Sequence, residues 1–245
     1  AAAKNIVPVT LELGGKSPQI VFADADLERA LPFLVNAGIQ NAGQTCSASS
    51  RILVHESLHD EVTRLMSERY GALTVGRAID DLSVGPMISG RQKEIVSGFV
   101  DAAAKDGLKP SAQGVLTQSA GAGGHYVQPT LYAGVDPSAS IARDEIFGPV
   151  QVIIPFKDED DAIAIANGTD YGLVAGVWTR DGGRQMRMAR AVRSGQVFIN
   201  NYGAGGGVEL PFGGYGKSGH GREKGFEALY GFTALKTVAV WHGKD

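Results

Sequence analysis

The sequence predicts an α/β layered fold built on a largely parallel sheet. Between residues 150 and 200, short runs rich in Val, Ile and Phe alternate with helix-period segments in the order strand, helix, strand, helix, strand. Glycine makes up 34 of the 245 residues, close to twice the usual share, and it clusters at 121–124 and 203–207 rather than in a fixed-period repeat. Those clusters read as loops between elements. In a layered fold of this kind the functional groups are expected on loops at strand ends.

Residues 9–13 and 19–22 read as short strands. Asp24 or Asp26 offers an N-cap to a helix that turns Leu27, Leu31, Leu34 and Val35 toward a core. Pro32 lies inside that pattern and, lacking an N–H, is expected to mark a kink or a delayed start. Gly43 ends the helix and leaves Cys46 on the turn before a strand at 51–55. Ser57 with Asp60, and Ser89 with Gln92, have the three-residue spacing of capping boxes. The first opens a helix holding Val62, Leu65 and Met66, and the second a helix running to Lys105. Strands follow at 150–156, 174–179 and 196–200, separated by helices at 158–167 and 183–193. Residues 237–241 read as a short apolar strand after a Gly-punctuated helix, with no partner strand nearby in sequence, so its free edge is expected to pair with another subunit.

A chain of this length buries a sizeable core as one large domain or two small ones. It has no uninterrupted apolar run of about 18 residues, so no membrane span is expected. The net charge of -3 and pI near 6.0 argue against an electrostatic hold on nucleic acid or anionic lipid and favour a small-molecule role. One cysteine excludes an intramolecular disulfide and suits a reducing compartment, which makes a cytoplasmic location the expectation. Residues 1–3 carry no secretory pattern, and the opening reads as a chain cut mid-protein. The five histidines are scattered without metal-ligand spacing, and no metal site is expected.

The chemistry-bearing groups are one thiol and one carboxylate. Cys46 stands in Gly43-Gln44-Thr45-Cys46-Ser47-Ala48-Ser49-Ser50-Arg51, and Glu12, 34 residues upstream, in Leu11-Glu12-Leu13-Gly14-Gly15-Lys16-Ser17-Pro18. A lone cysteine is ordinarily a core filler, and a lone glutamate an exposed acid. The small polar neighbours of Cys46, however, describe a turn and not an apolar stretch. A thiol attacks carbonyl carbon well near neutral pH, and a carboxylate takes a proton from water to clear the acyl-enzyme that results. Together the two groups point to acyl chemistry through a thioester.

These motifs, with Glu145-Ile146-Phe147-Gly148-Pro149-Val150, Pro211-Phe212-Gly213-Gly214-Tyr215 and Ser218-Gly219-His220-Gly221-Arg222-Glu223, occur in the order in which the aldehyde dehydrogenase superfamily carries them. The chain resembles that family over nearly its whole length, and specifically its carboxy-terminal half, since such enzymes are about twice as long. The resemblance implies a three-layer catalytic domain of aldehyde dehydrogenase type with a largely parallel sheet, plus a C-terminal oligomerisation strand. It divides the chain into 1–13, the end of a cofactor-binding domain; 14–217, the catalytic domain; 218–235, a segment returning toward the cofactor-binding domain; and 236–245, the oligomerisation strand. A homodimer or homotetramer is implied for the intact enzyme.

The resemblance also assigns roles. Cys46 is the nucleophile, and Glu12 activates the water that hydrolyses the thioester, so that a small aldehyde leaves as a carboxylic acid and not as a coenzyme A ester. NAD or NADP is the implied cofactor, with Glu145 on the nicotinamide-side ribose, Phe147 beside the nicotinamide and Gln92 at the other ribose. Phe212 matches an aromatic of the aldehyde tunnel, and Glu223 an acid near the proton-exit water chain. The oxyanion is expected to meet the Cys46 N–H and a donor from the other half. Ile39 replaces a usual aromatic and is expected to alter the pocket wall. Each minor assignment has a plain structural counterpart: a capping position for Gln92, a core ring for Phe212, a solvated charge for Glu223, an acidic turn for Asp144 and Glu145. Residues 203–207 lack the phosphate-loop patterns and read as a flexible loop over the substrate mouth. Two other functions are compatible with the residues alone, a cysteine-dependent esterase or thioesterase and a non-enzymatic assembly module. Residues 1–245 by themselves are expected to fold but to show no dehydrogenase activity.

Overall fold

The structure, a computed structural model, describes residues 1–121, 123–203 and 207–243. Its centre is a seven-stranded sheet of β1 (Pro18–Val21), β2 (Arg51–His55), β3 (Ala112–Gln113), β4 (Thr130–Tyr132), β5 (Val150–Phe156), β6 (Val174–Trp178) and β7 (Gln196–Ile199). The lateral order is β7-β6-β1-β2-β5-β4-β3. Every pairing is parallel except that of β3 on β4, so the α/β fold with a largely parallel sheet is the one that forms. β5 is buried at every residue but Pro155, as expected of a strand covered on both faces.

Two buried polar side chains identify the layers. Arg51 on β2 is in register with Val152 on β5, so its side chain shares a face with Val152 and opposes that of Gln151. Arg51 donates to the Ile165 and Ala166 carbonyls, at 2.9 and 2.8 Å, at the end of helix Glu159–Ala166. Gln151 donates to the Leu34 carbonyl at 2.9 Å and accepts from the Tyr70 hydroxyl, within helices Leu27–Ile39 and His59–Gly71. Helices therefore cover both faces, and the domain has three layers. No helix among the described residues is long and apolar enough to cross a membrane.

Several local expectations are corrected. The strand read at 9–13 shrinks to Leu11–Glu12, because only these two residues find a ladder, antiparallel to Gly219–His220. Asp26, not Asp24, caps the first long helix by accepting from the Arg29 N–H at 3.1 Å. That helix starts at Leu27 and runs unbroken through Pro32. Ser57 caps nothing: residues 56–58 form a 3₁₀ turn held by the His55 ring, and the α-helix starts only at His59. Ser89 does cap helix Gly90–Lys105 by accepting from the Gln92 N–H, but Gln92 sends its amide elsewhere, so the box is half formed. Residues 237–241 make no ladder; Val238, Val240 and Trp241 are 74, 67 and 87 % exposed. A strand is defined by its partner, and the described part of this chain offers none. Residues 204–206 of the Gly-rich loop lie outside the described residues.

Candidate active site

Three loops, 12–17, 43–50 and 144–149, lead into β1, β2 and β5 at their amino-terminal ends. This is the edge opposite the carboxyl-end crevice at which parallel sheets ordinarily take ligands. Two glycines let the loops meet backbone to backbone. A Cβ on Gly15 would run into the carbonyl oxygen of Cys46, and one on Gly43, whose φ is +72°, would run into the Gly148 carbonyl. From the other side, Leu11–Glu12 pairs with Gly219–His220, and Phe212 and Glu223 exchange two backbone hydrogen bonds of 2.7 Å. Motifs some two hundred residues apart thus stand side by side.

Glu12, Cys46, Gln92, Glu145 and Phe147 all line one open cleft of about 440 Å³. Phe212 and Glu223 do not. Phe212 packs in a small apolar cluster with Leu173, Val174, Tyr202, Phe33 and Cys46, behind the thiol. Glu223 is exposed and reaches the cleft only through its field on Glu12. Ile39 is not a wall residue of the thiol's surroundings: it is buried in the core, 7 % exposed.

Burial pushes the Cys46 thiol above its ordinary pKa, and the carboxylates of Glu12 and Glu145 push the same way, while the N–H groups of Ser47 and Cys46 pull it back. Neither N–H takes part in a backbone–backbone bond among the described residues, so both remain available to the Cys46 sulfur. Glu12 holds both carboxylate oxygens shielded from solvent without a hydrogen-bond partner among the described residues. Burial raises its pKa, Glu223 adds to the rise and Arg222 opposes it. A carboxylate so placed is more basic than an exposed one, which suits proton abstraction from water.

Glu145 accepts from the Gly15 N–H at 3.1 Å; burial raises its pKa against that bond and the Lys16 charge. Phe147, 37 % exposed, has a left-handed backbone, φ +54°, a conformation that costs roughly 1–2 kcal/mol for a residue with a Cβ. The Gln92 amide holds it there by donating to the Ile146 and Phe147 carbonyls at 3.0 and 2.9 Å. Its amide nitrogen is thereby engaged within the protein, and its amide oxygen remains as an acceptor.

The sequence reading missed three supporting groups. Gln44 donates to the Asn41 carbonyl and accepts from the Ile88 N–H at 2.9 Å, bracing the thiol's turn. The Tyr202 hydroxyl donates to the Ser47 carbonyl at 2.7 Å. Lys16, inside the Glu12 motif, is 1 % exposed with Nζ unpartnered among the described residues. Only its place in a motif hinted at a special environment.

Burial brings Lys16 down to about 7, Arg51 pushes the same way, and Asp144 and Glu145 oppose. The unfolded lysine keeps a pKa near 10.5. Between those two values the unfolded chain holds a proton that the folded chain has released, so this group makes stability rise with pH across the window; below it both states are protonated and the full burial penalty applies. Lys16→Met is therefore expected to raise the melting temperature by several degrees at pH 7, with the gain shrinking toward pH 10. Melting curves at both pH values check this. A gain that grows with pH would mean that Lys16 is not a buried cation.

The sequence profile of the aldehyde dehydrogenase family matches residues 1–238. The chain is 43 % identical over 241 residues to mouse cytosolic aldehyde dehydrogenase 1, covering 98 % of this chain and 47 % of that protein. Among solved structures it resembles a Burkholderia cenocepacia protein assigned as an aldehyde dehydrogenase, with 59 % identity, TM-score 0.96, and coverage of 99 % of this chain and 51 % of the other. An NAD⁺ complex of aldehyde dehydrogenase from Bacillus cereus superposes with TM-score 0.93 at 36 % identity, covering 99 % and 49 % of the two chains. The chain spans about half the length of the relatives it matches.

Proposed function

This chain belongs to the aldehyde dehydrogenase family, and we propose that it carries the catalytic machinery of an NAD(P)-dependent oxidation of a small aldehyde to a carboxylic acid. The observation that carries the reading is the convergence of Cys46, Glu12, Glu145, Phe147 and Gln92 on one cleft.

The cleft suits the nicotinamide end of a dinucleotide. Phe147 offers a partly exposed ring on a fixed hinge, Glu145 a carboxylate at the cleft wall, and Gln92 a free amide oxygen. These are the groups that would flank a flat heteroaromatic ring and accept ribose hydroxyls. Solved relatives include NAD⁺ complexes, that of the Bacillus cereus aldehyde dehydrogenase among them. When bound, the cofactor supplies the two-electron acceptor for the aldehyde carbon.

The chain's own residues then act as follows. The Cys46 thiolate adds to the aldehyde carbon, making a C–S bond and a tetrahedral oxyanion. The free N–H of Cys46 donates to that oxyanion. After oxidation the carbon is held as a thioester on Cys46. Glu12 takes a proton from water as the oxygen attacks the thioester carbon, and the C–S bond breaks to release the acid and the thiolate. Arg222 and Glu223 tune the basicity of Glu12; Glu223 is the candidate for passing its proton outward, and Phe212 for backing the aldehyde pocket behind Cys46.

The grouping of segment 218–235 with segment 1–13, within the proposed boundaries at 13, 217 and 235, draws on the pairing of 11–12 with 219–220. The exposed apolar residues of 236–243 support assembly of the full-length protein into a homodimer or homotetramer. The direct test is aldehyde-dependent NAD(P)H absorbance with the full-length protein. Thioester hydrolysis without NAD(P)H formation from any aldehyde would favour the hydrolase instead. Residues 1–245 alone are expected to bind NAD and NADP negligibly, because the G-x-G-x-x-G string at 214–219 lies on two short strands, Tyr215–Gly216 and Gly219–His220, and does not open a helix that would take the pyrophosphate. Calorimetry checks this, and micromolar affinity would place the main cofactor contacts within the chain.

A further inference from the structure

A second cavity, of about 240 Å³, adjoins the nucleophile away from Glu12 and Glu145. Thr45 and Ser47, the residues on either side of Cys46, form one wall; Phe33, Asn36, Ala37 and Gln40 of the first long helix and its end form the other, with Tyr202 beside them. Phe33, Ala37 and Tyr202 also pack against Cys46 in one apolar cluster. A molecule whose carbonyl carbon meets Sγ therefore has this cavity available for its body. At about 30 Å³ for a water-sized group, the space holds roughly eight non-hydrogen atoms.

The lining is mostly apolar, with a few polar groups and no charge among its described residues. No acid or base stands among its described residues. The one group able to ionise, the Tyr202 hydroxyl, is committed to the Ser47 carbonyl at 2.7 Å. Asn36 and Gln40, four residues apart and therefore on one side of the helix, are exposed, and their side-chain amides make no hydrogen bond to the other described residues. Phe33 and Ala37 give the apolar part. An ammonium or carboxylate placed here would leave water without a counter-charge, at a cost of several kcal/mol. A neutral hydrogen-bonding group would instead meet two amides that are each donor and acceptor.

We propose that the substrate is an uncharged aldehyde carrying an amide or hydroxyl group along its chain, with Asn36 and Gln40 as the residues that select it. The proposal rests on the dehydrogenase reading and deepens it.

The test is kcat/KM of the full-length enzyme for four aldehydes of similar size: 4-acetamidobutanal, octanal, 5-oxopentanoate and 4-trimethylammoniobutanal. The acetamido compound is expected to exceed octanal by about tenfold and each charged aldehyde by about a hundredfold. Asn36→Leu with Gln40→Leu should invert the order of the first two, with an unchanged melting temperature as the control for folding. Gln40→Glu should raise the value for the trimethylammonium compound about tenfold by supplying the missing counter-charge. Equal values for all four wild-type reactions, a charged aldehyde as the best substrate, or variants that scale all four alike would overturn the proposal while leaving the dehydrogenase intact. Oxidation of none of them or of any other aldehyde would overturn the dehydrogenase reading, and this proposal with it.

Discussion

Cys46→Ala is expected to lower aldehyde oxidation by the full-length enzyme by about 10⁴-fold or more, to the limit of detection, while NAD(P) binding persists. The thiol lines the cleft together with Glu12 and Glu145, and both halves of the reaction depend on the C–S bond it forms. Alanine removes one atom from a half-buried turn whose shape is held by other groups: the Gln44 amide, the Tyr202 hydroxyl and the contact of Gly15 with the Cys46 carbonyl. Glu145, Phe147 and Gln92 are untouched. Calorimetric titration with NAD and NADP alongside an absorbance assay separates the two properties. Activity within tenfold of the unmodified enzyme would move the nucleophile to another group, and parallel loss of cofactor binding would mean that the turn had collapsed.

Glu12→Gln keeps the shape of the side chain and removes its basicity. The first oxidation should survive and hydrolysis of the thioester should stall, giving one stoichiometric burst of NAD(P)H followed by steady turnover lowered by about 10²- to 10⁴-fold. A second consequence follows from the electrostatics. The Cys46 pKa is raised first by burial and then, in part, by the Glu12 charge. Removing that charge leaves the thiolate less opposed, so the thiol's pKa should fall and its alkylation by iodoacetamide should rise at a lower pH than in the unmodified enzyme. A burst with no shift of the alkylation profile would separate Glu12 from the thiol. Unchanged steady turnover would place the base elsewhere.

The elements legible in the sequence are those whose signal is local. β5 is an apolar run bounded by Pro149 and the Asp158 cap, and helix Glu159–Ala166 follows from that cap, which accepts from the Asp161 N–H. The Asp181 cap of helix Gly182–Ala191 is equally local. The errors fell where a partner decides. Ser57 has the spacing of a cap, but its hydroxyl, 2.8 Å from His55 Nδ1, turns back to the ring at the end of β2 together with its N–H. Residues 237–241 have the composition of a strand, yet a ladder needs a neighbour, and composition carries no information about one.

For the site, the motif order of the sequence named Cys46, Glu12, Glu145, Phe147 and Gln92, and it named the family. Composition and periodicity fixed the layered fold, because burial on both faces of a parallel sheet writes continuous apolar runs into the chain. Only the tertiary structure decided that these five residues share a cleft at the amino-terminal edge of the sheet, while Phe212 and Glu223 stand behind and beside it. Which loops touch depends on a Cβ that Gly15 and Gly43 lack and on the register of β1, β2 and β5. Those are relations between residues up to 130 positions apart. The same reason hid Lys16, which is an ordinary surface residue type until burial removes water from its ammonium group and, with the Arg51 charge and against those of Asp144 and Glu145, brings its pKa down to about 7.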